Sequence, residues 1–181
     1  MSILGHPLLT ISLLSGYVGF LRLPQKSAVI IFGLLLAIVI IPVVWHNYQK
    51  VNNGKYTNFD VSSRSQRSGF YPVLIGLTFL FLALLAVTGQ PYVFIHGTMC
   101  MLLLLVSSYC INFYIKTSLH TSISIFIAVG FYSLNHSLGL ILGIFTILVA
   151  LSRLVLKRHT LNEILVGALM GVISGICLYM L

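Results

Sequence analysis

The sequence predicts an all-α fold: a polytopic bundle of six to seven transmembrane helices with its polar site at one membrane face. Three observations predict it. Hydrophobic residues make up 59% of the 181-residue chain and charged residues only 7%. A water-soluble domain carries about a quarter charged residues, and a soluble fold of this length could not hide so much apolar surface. The apolar runs are continuous rather than alternating with period two. That excludes a membrane β-barrel and leaves helices as the way to satisfy backbone hydrogen bonds in hydrocarbon. Finally, the few charged residues gather in short segments between the apolar runs.

A spanning helix needs roughly 20 mostly apolar residues. Seven stretches can serve: Leu8–Leu23, Ser27–Tyr48, Phe70–Thr88, Tyr92–Ile115, Thr121–Leu134, Ser137–Leu154 and Leu161–Leu181. The first and fifth are short, as expected of helices that tilt or break near a polar site. The N-terminal stretch reads as retained, because no basic region precedes it and no small-residue cleavage site follows it. The longest polar stretch is Asn47–Ser68, so residues 1–181 read as a single integral membrane domain. Cys100, Cys110 and Cys177 lie in apolar helices without metal-ligand spacing and read as small core hydrophobes. Gly139 and Gly143, and then Gly167, Gly171 and Gly175, recur at four-residue spacing, a pattern that lets helix backbones approach closely in lipid.

The net charge of +8 comes from ten Lys and Arg against Asp60 and Glu163. Such a balance fits anionic headgroups, a phosphate-bearing substrate, or topology signalling alone. Position separates these readings. Lys50, Lys55, Asp60, Arg64 and Arg67 lie between the second and third helices. Lys116 and His120 lie between the fourth and fifth. Arg153, Lys157, Arg158, His159 and Glu163 lie between the sixth and seventh. Two crossings separate each of these segments from the next, so all three are expected on one face. That face would hold eight of the ten Lys and Arg and both acids.

Each segment also has a plain structural reading. Glu163 follows His159 by four residues and can share its helix face, where a carboxylate orients an imidazole. Thr160-Leu-Asn-Glu163 is equally a capping box. Lys116-Thr117-Ser118-Leu119-His120 opens a helix whose N-terminus suits an anion, with Ser118 and His120 as donors; alone, Ser118 is equally a helix cap. Arg64 and Arg67 are neighbours on a helical turn, suited to phosphate oxygens, or they anchor the membrane edge. Together they form a multi-arginine anion site with two histidines and a carboxylate, the parts that phosphoryl transfer needs.

The order of these motifs resembles the type-2 phosphatidic acid phosphatase superfamily of membrane lipid phosphatases, in its small bacterial members. The family's third motif is Ser-Arg, five residues, His, three residues, Asp; here Ser152-Arg153-x5-His159-x3-Glu163 matches, with Glu for Asp. Its second motif is Pro-Ser-Gly-His; here Thr117-Ser118-Leu119-His120 keeps Ser and His. Its first is Lys, six residues, Arg-Pro; here a relaxed version surrounds Arg64, Arg67 and Pro72. The motifs span about 64–163. The departures are Leu119 in place of a Gly, Glu163 in place of Asp, and no equivalent of the first motif's Lys.

The resemblance implies a phosphatase acting on a lipid phosphomonoester or diphosphate: phosphatidic acid, phosphatidylglycerol phosphate, a polyprenyl diphosphate or a lipid A phosphate. His159 would attack phosphorus to form a phosphohistidine, Glu163 would orient it, and His120 would protonate the leaving oxygen. Arg153, Ser118, Arg64 and Arg67 would hold the phosphate, assisted by Lys116. The family needs no metal or other cofactor, and no nucleic-acid partner is expected. The resemblance favours the bacterial inner membrane with a periplasmic active face, whereas the excess of Lys and Arg by itself points to a cytoplasmic one. A lipid phosphotransferase on the same fold, and a non-catalytic lipid-binding or transport bundle, are the alternatives. Charges clustered at one edge speak against transport, which would place ionisable residues through the bilayer.

Overall fold

The computed structural model describes residues 6–180, which are almost wholly helical, with no strand among the described residues. The helices are α1 (Pro7–Arg22), α2 (Gln25–Leu34), α3 (Ile41–Asn52), α4 (Arg64–Val87), α5 (Tyr92–Asn112), α6 (Leu119–Leu134), α7 (His136–Val155) and α8 (Leu161–Tyr179). A π-helical segment over Leu35–Ile40 joins α2 to α3 in one continuous helix, Gln25–Asn52. Every predicted stretch overlaps one of these helices, although the fourth, Tyr92–Ile115, runs past the end of α5 at Asn112 into a turn and Leu181, the end of the seventh, lies outside the described residues. Five helices are long and apolar enough to cross a membrane: Gln25–Asn52, α4, α5, α7 and α8. The other two, α1 and α6, are shorter apolar helices.

The chain gathers into two compact units, Ser12–Tyr109 and Met1–Ile11 with Cys110–Leu181. In the first, α4 packs against the long helix Gln25–Asn52. That helix buries Ala28, Ile31, Leu35, Val39, Val43 and Asn47, mostly every fourth residue. A straight α-helix of 3.6 residues per turn would rotate such a stripe off the interface. The π turn, in which Ile41 N–H reaches back to Leu36 O, takes up extra residues and holds the stripe in line. Pro42 follows at once, with no N–H to offer the preceding turn. The side of α4 turned inward is Arg67, Tyr71, Leu74, Thr78, Phe81 and Leu85, alternating by four and three.

In the second unit α6 packs against both α7 and α8. Its buried positions run Leu119–Ser124, Phe126–Ala128 and Gly130. Glycines bring α8 onto it. A Cβ at Gly167 would stand 2.9 Å from Ser118 O, one at Gly171 would lie on Ser122 O, and one at Gly175 would stand 2.7 Å from Val129 Cβ. The predicted close approach therefore holds for α8, with α6 as the partner. It holds at Gly139, which abuts Tyr132, but not at Gly143, which has nothing within 4 Å. The cysteine expectation is also corrected. Cys100 is buried, but Cys110 and Cys177 are exposed, because they lie on the outer faces of α5 and α8.

Large apolar side chains cover those outer faces. On α7, Leu140, Ile141, Ile144, Ile147, Leu148, Leu151 and Val155 are all exposed, as are Leu165, Leu169, Ile173 and Ile176 on α8. Soluble monomers rarely expose contiguous apolar surface on this scale. With five helices of spanning length, it marks a membrane protein.

Candidate active site

Three helix ends carry the same turn. After α3, Gly54 N–H donates to Val51 O (3.0 Å) and Lys55 N–H to Lys50 O (2.9 Å). After α4, Gly89 N–H donates to Ala86 O (3.1 Å) and Gln90 N–H to Leu85 O (2.9 Å). After α7, Lys157 N–H donates to Leu154 O (2.9 Å) and Arg158 N–H to Arg153 O (3.0 Å). This is the Schellman pattern, which needs a left-handed residue just past the helix. Gly54 (φ 67°) and Gly89 (φ 62°) supply it at no steric cost, but after α7 the residue is Lys157, at φ 50°.

That last turn explains the spacing of Ser152-Arg153-x5-His159-x3-Glu163. The Arg153 carbonyl accepts Arg158 N–H and also His159 N–H, at 3.3 Å, so the C-cap ties Arg153 and His159 together. Thr160 then caps α8: Glu163 N–H donates to Thr160 Oγ1 (3.4 Å) and Thr160 N–H to Glu163 Oε2 (3.2 Å). The capping box is present, and its carboxylate does more than cap. Glu163 Oε2 also lies 2.8 Å from His159 Nδ1. The His159 side chain is fully buried and that of Glu163 is 16% exposed. The two roles considered for Glu163 thus coexist: the cap fixes the carboxylate where it can hold the imidazole by Nδ1 and direct Nε2 away from it.

Lys116 Nζ donates to Arg158 O (2.8 Å) and lies 3.4 Å from Glu163 Oε2. It ties the segment before α6 to the α7–α8 turn. Ser118 completes the tie, its N–H donating to Glu163 O at 3.2 Å. Its hydroxyl is the N-cap of α6, accepting from Thr121 N–H (3.4 Å) and paired with Thr121 Oγ1 at 3.0 Å. In this structure Lys116 and Ser118 therefore hold the turn and the helix cap. Arg153 is buried at 1% exposure and His120 at 5%. The second unit thus brings together Lys116, Ser118, Arg153, His159 and Glu163, with His120 in the first turn of α6.

Sequence reasoning missed His6. Its ring meets that of His120 edge-on, with centroids 5.4 Å apart. Nothing in the residues before Pro7 marks it. The sequence marks Lys157 and Arg158 only as loop charge.

Arg64 and Arg67 belong to the other unit and start α4 rather than lying in a loop. Arg64 is exposed. Arg67 is 2% exposed, and its Nε donates to Val61 O at 2.9 Å. Val61 is held at φ 48°, an outlier for a β-branched residue. Among the described residues, Val61 and Lys157 are the non-glycine residues with positive φ; Val61 accepts from Arg67, and Lys157 lies in the turn between Arg153 and His159. Such outliers concentrate at functional sites. His46 and His96 each have a local partner: His46 Nε2 lies 3.3 Å from the Tyr56 hydroxyl, and His96 Nε2 lies 3.3 Å from Cys100 Sγ.

No protein-family model, curated protein or solved structure matches the chain.

Proposed function

We propose that the chain is a membrane phosphatase of the type-2 phosphatidic acid phosphatase kind, which hydrolyses a lipid phosphomonoester or diphosphate through a phosphohistidine on His159. The observation that carries this reading is the pair of buried His159 and half-buried Glu163, 2.8 Å apart, locked to the carbonyl of a buried arginine by two back-to-back helix caps. An imidazole held by a carboxylate on Nδ1 presents Nε2 as a nucleophile, and the carboxylate stabilises the cationic ring that forms on attack. Arg153 is buried beside the turn that holds His159, and in this proposal its charge stabilises the equatorial oxygens in the transition state.

His120 is assigned to protonate the leaving oxygen, with His6 against its ring. Ser118 and Lys116 are kept as phosphate ligands in this proposal, Lys116 also lying 3.4 Å from Glu163 Oε2. Arg64 and Arg67 remain phosphate ligands in this proposal on the order of the sequence motifs. Leu119, where the resembled motif has Gly, narrows the approach to the α6 N-terminus. The proposal places six to seven crossings in a bacterial inner membrane, in one integral membrane domain. The three charged segments would share the periplasmic face, and the lipid substrate would enter laterally. The test is phosphate release by purified protein from phosphatidic acid, phosphatidylglycerol phosphate, a polyprenyl diphosphate and a lipid A phosphate. At least one is turned over by the wild type and not by His159→Ala; equal release by the mutant overturns the mechanism.

A further inference from the structure

The α7–α8 turn holds two cations whose placement the mechanism above does not use. Lys157 sits where the same turn after α3 and α4 has glycine. A side chain there strains the backbone, and this one is exposed to solvent, so packing does not account for it. Arg158 is half-buried, and its Nη1 is fully buried with no hydrogen bond among the described residues. A buried, unsatisfied donor on a charged fork is costly and calls for an acceptor from outside the protein.

Charge balance points the same way. Between residues 110 and 181 the charged side chains are Lys116, Arg153, Lys157, Arg158 and Glu163. The one acid is already engaged by Lys116, His159 and the Thr160 N–H. Lys157 and Arg158 stand two residues and one residue before His159, and Arg158 is fixed there by its carbonyl, which accepts from Lys116 Nζ at 2.8 Å.

We propose that Lys157 and Arg158 form a second anion subsite beside His159, which takes the lipid-side phosphate of a lipid diphosphate while His159 attacks the terminal one. This rests on the phosphatase reading and narrows its substrate class. The Nε2 lone pair of His159 forms a bond to the terminal phosphorus. The bond from that phosphorus to the bridging oxygen breaks, and its electron pair stays on the oxygen, which leaves as part of a lipid monophosphate. Water then attacks the phosphohistidine, the N–P pair returns to Nε2, and inorganic phosphate and a proton depart. The leaving oxygen belongs to a phosphate, a far weaker base than an alkoxide, so it needs positive charge beside it more than a proton. Lys157 and Arg158 supply that charge where it develops.

The experiment compares farnesyl diphosphate, farnesyl monophosphate, phosphatidic acid and inorganic pyrophosphate as substrates of the full chain in detergent micelles, with His159→Ala as the blank. The informative variant is Lys157→Gly, which removes the amine and relaxes the backbone, so folding is protected; Lys157→Arg restores the charge. The ratio of kcat/KM for farnesyl diphosphate to that for the monophosphate falls about tenfold or more in Lys157→Gly, the loss of one charge-assisted contact. It recovers in Lys157→Arg. Pyrophosphate turned over with the same dependence assigns the subsite to the diphosphate group itself; turnover of the farnesyl ester alone assigns it to a lipid diphosphate. A ratio unchanged in Lys157→Gly, with both substrates weakened together or neither, makes Lys157 general surface charge and overturns the inference. In that case release from any lipid phosphate that depends on His159 leaves the phosphatase reading standing. No release from farnesyl diphosphate overturns the inference; if the wild type also releases phosphate from none of the other three, nor from phosphatidylglycerol phosphate or a lipid A phosphate, the phosphatase reading falls with it.

Discussion

Glu163 separates the helix cap from the chemistry, because one carboxylate oxygen serves both. Oε2 receives His159 Nδ1 at 2.8 Å, Thr160 N–H at 3.2 Å and Lys116 Nζ at 3.4 Å. Glutamine keeps an oxygen for the cap and removes the charge. A hydrogen bond to a charged group contributes about 1.5–3 kcal/mol and a neutral one about 0.5–1.5, so the His159 link loses about 1–1.5 kcal/mol. That loss, felt as the imidazole becomes cationic, lowers kcat/KM about 5- to 13-fold at 1.36 kcal/mol per decade. The partly exposed Lys116 pair is present in the resting protein and contributes up to about 1 kcal/mol to folding, so thermal stability falls by no more than about that while the cap remains. Glu163→Ala behaves differently. It strands a buried Nδ1 (about 1–3 kcal/mol) and removes half of a capping box (about 1 kcal/mol), so it also lowers the unfolding temperature. Steady-state phosphate release and thermal unfolding in detergent measure the two effects. A Glu163→Gln enzyme within twofold of wild type, paired with an unstable Glu163→Ala, would reduce Glu163 to a cap and refute the orienting role.

Two further outcomes follow from packing and topology. Gly171→Ala places a methyl on the Ser122 carbonyl, backbone that cannot yield, and costs about 1–3 kcal/mol as overpacking. Gly143→Ala meets nothing within 4 Å and gains about 0.5–1 kcal/mol of helix propensity; unfolding temperatures that move the same way for both would refute the α6–α8 seam. A cysteine at exposed Asn53, in a background with Cys100, Cys110 and Cys177 replaced by alanine, is labelled by an impermeant thiol reagent from outside spheroplasts. Labelling only after lysis would place the charged face in the cytoplasm.

The helices were legible because continuous apolar runs have few alternatives in lipid. The turns at Gly54 and Gly89 and the cap at Thr160-Leu-Asn-Glu163 carry residue types that their geometry demands. His159 and Glu163 do meet, but His159 precedes the Thr160 cap and lies outside α8, so the capping box brings them together and not the shared helix face that their spacing suggests. What escaped notice was what residue type does not announce. The π turn over Leu35–Ile40 reflects a packing register set by the partner helix. Lys157 occupies a left-handed position that its own chemistry disfavours. The contact of His6 with His120 joins residues over a hundred positions apart. Gly143 shares the spacing of Gly139, yet it faces outward, because spacing marks a face without saying what meets it. The cap that Ser118 makes and the tie that Lys116 makes to the α7–α8 turn are likewise not announced by residue type.

The measurement that bears most directly on the central claim is capture of the intermediate. Protein incubated with a lipid phosphate carrying a radiolabelled terminal phosphorus is quenched in alkali during turnover and mapped by peptide. The account predicts label on the peptide containing His159, stable to alkali and lost in acid, and none in His159→Ala. Label of equal amount in His159→Ala, or undiminished phosphate release by that mutant, would contradict it.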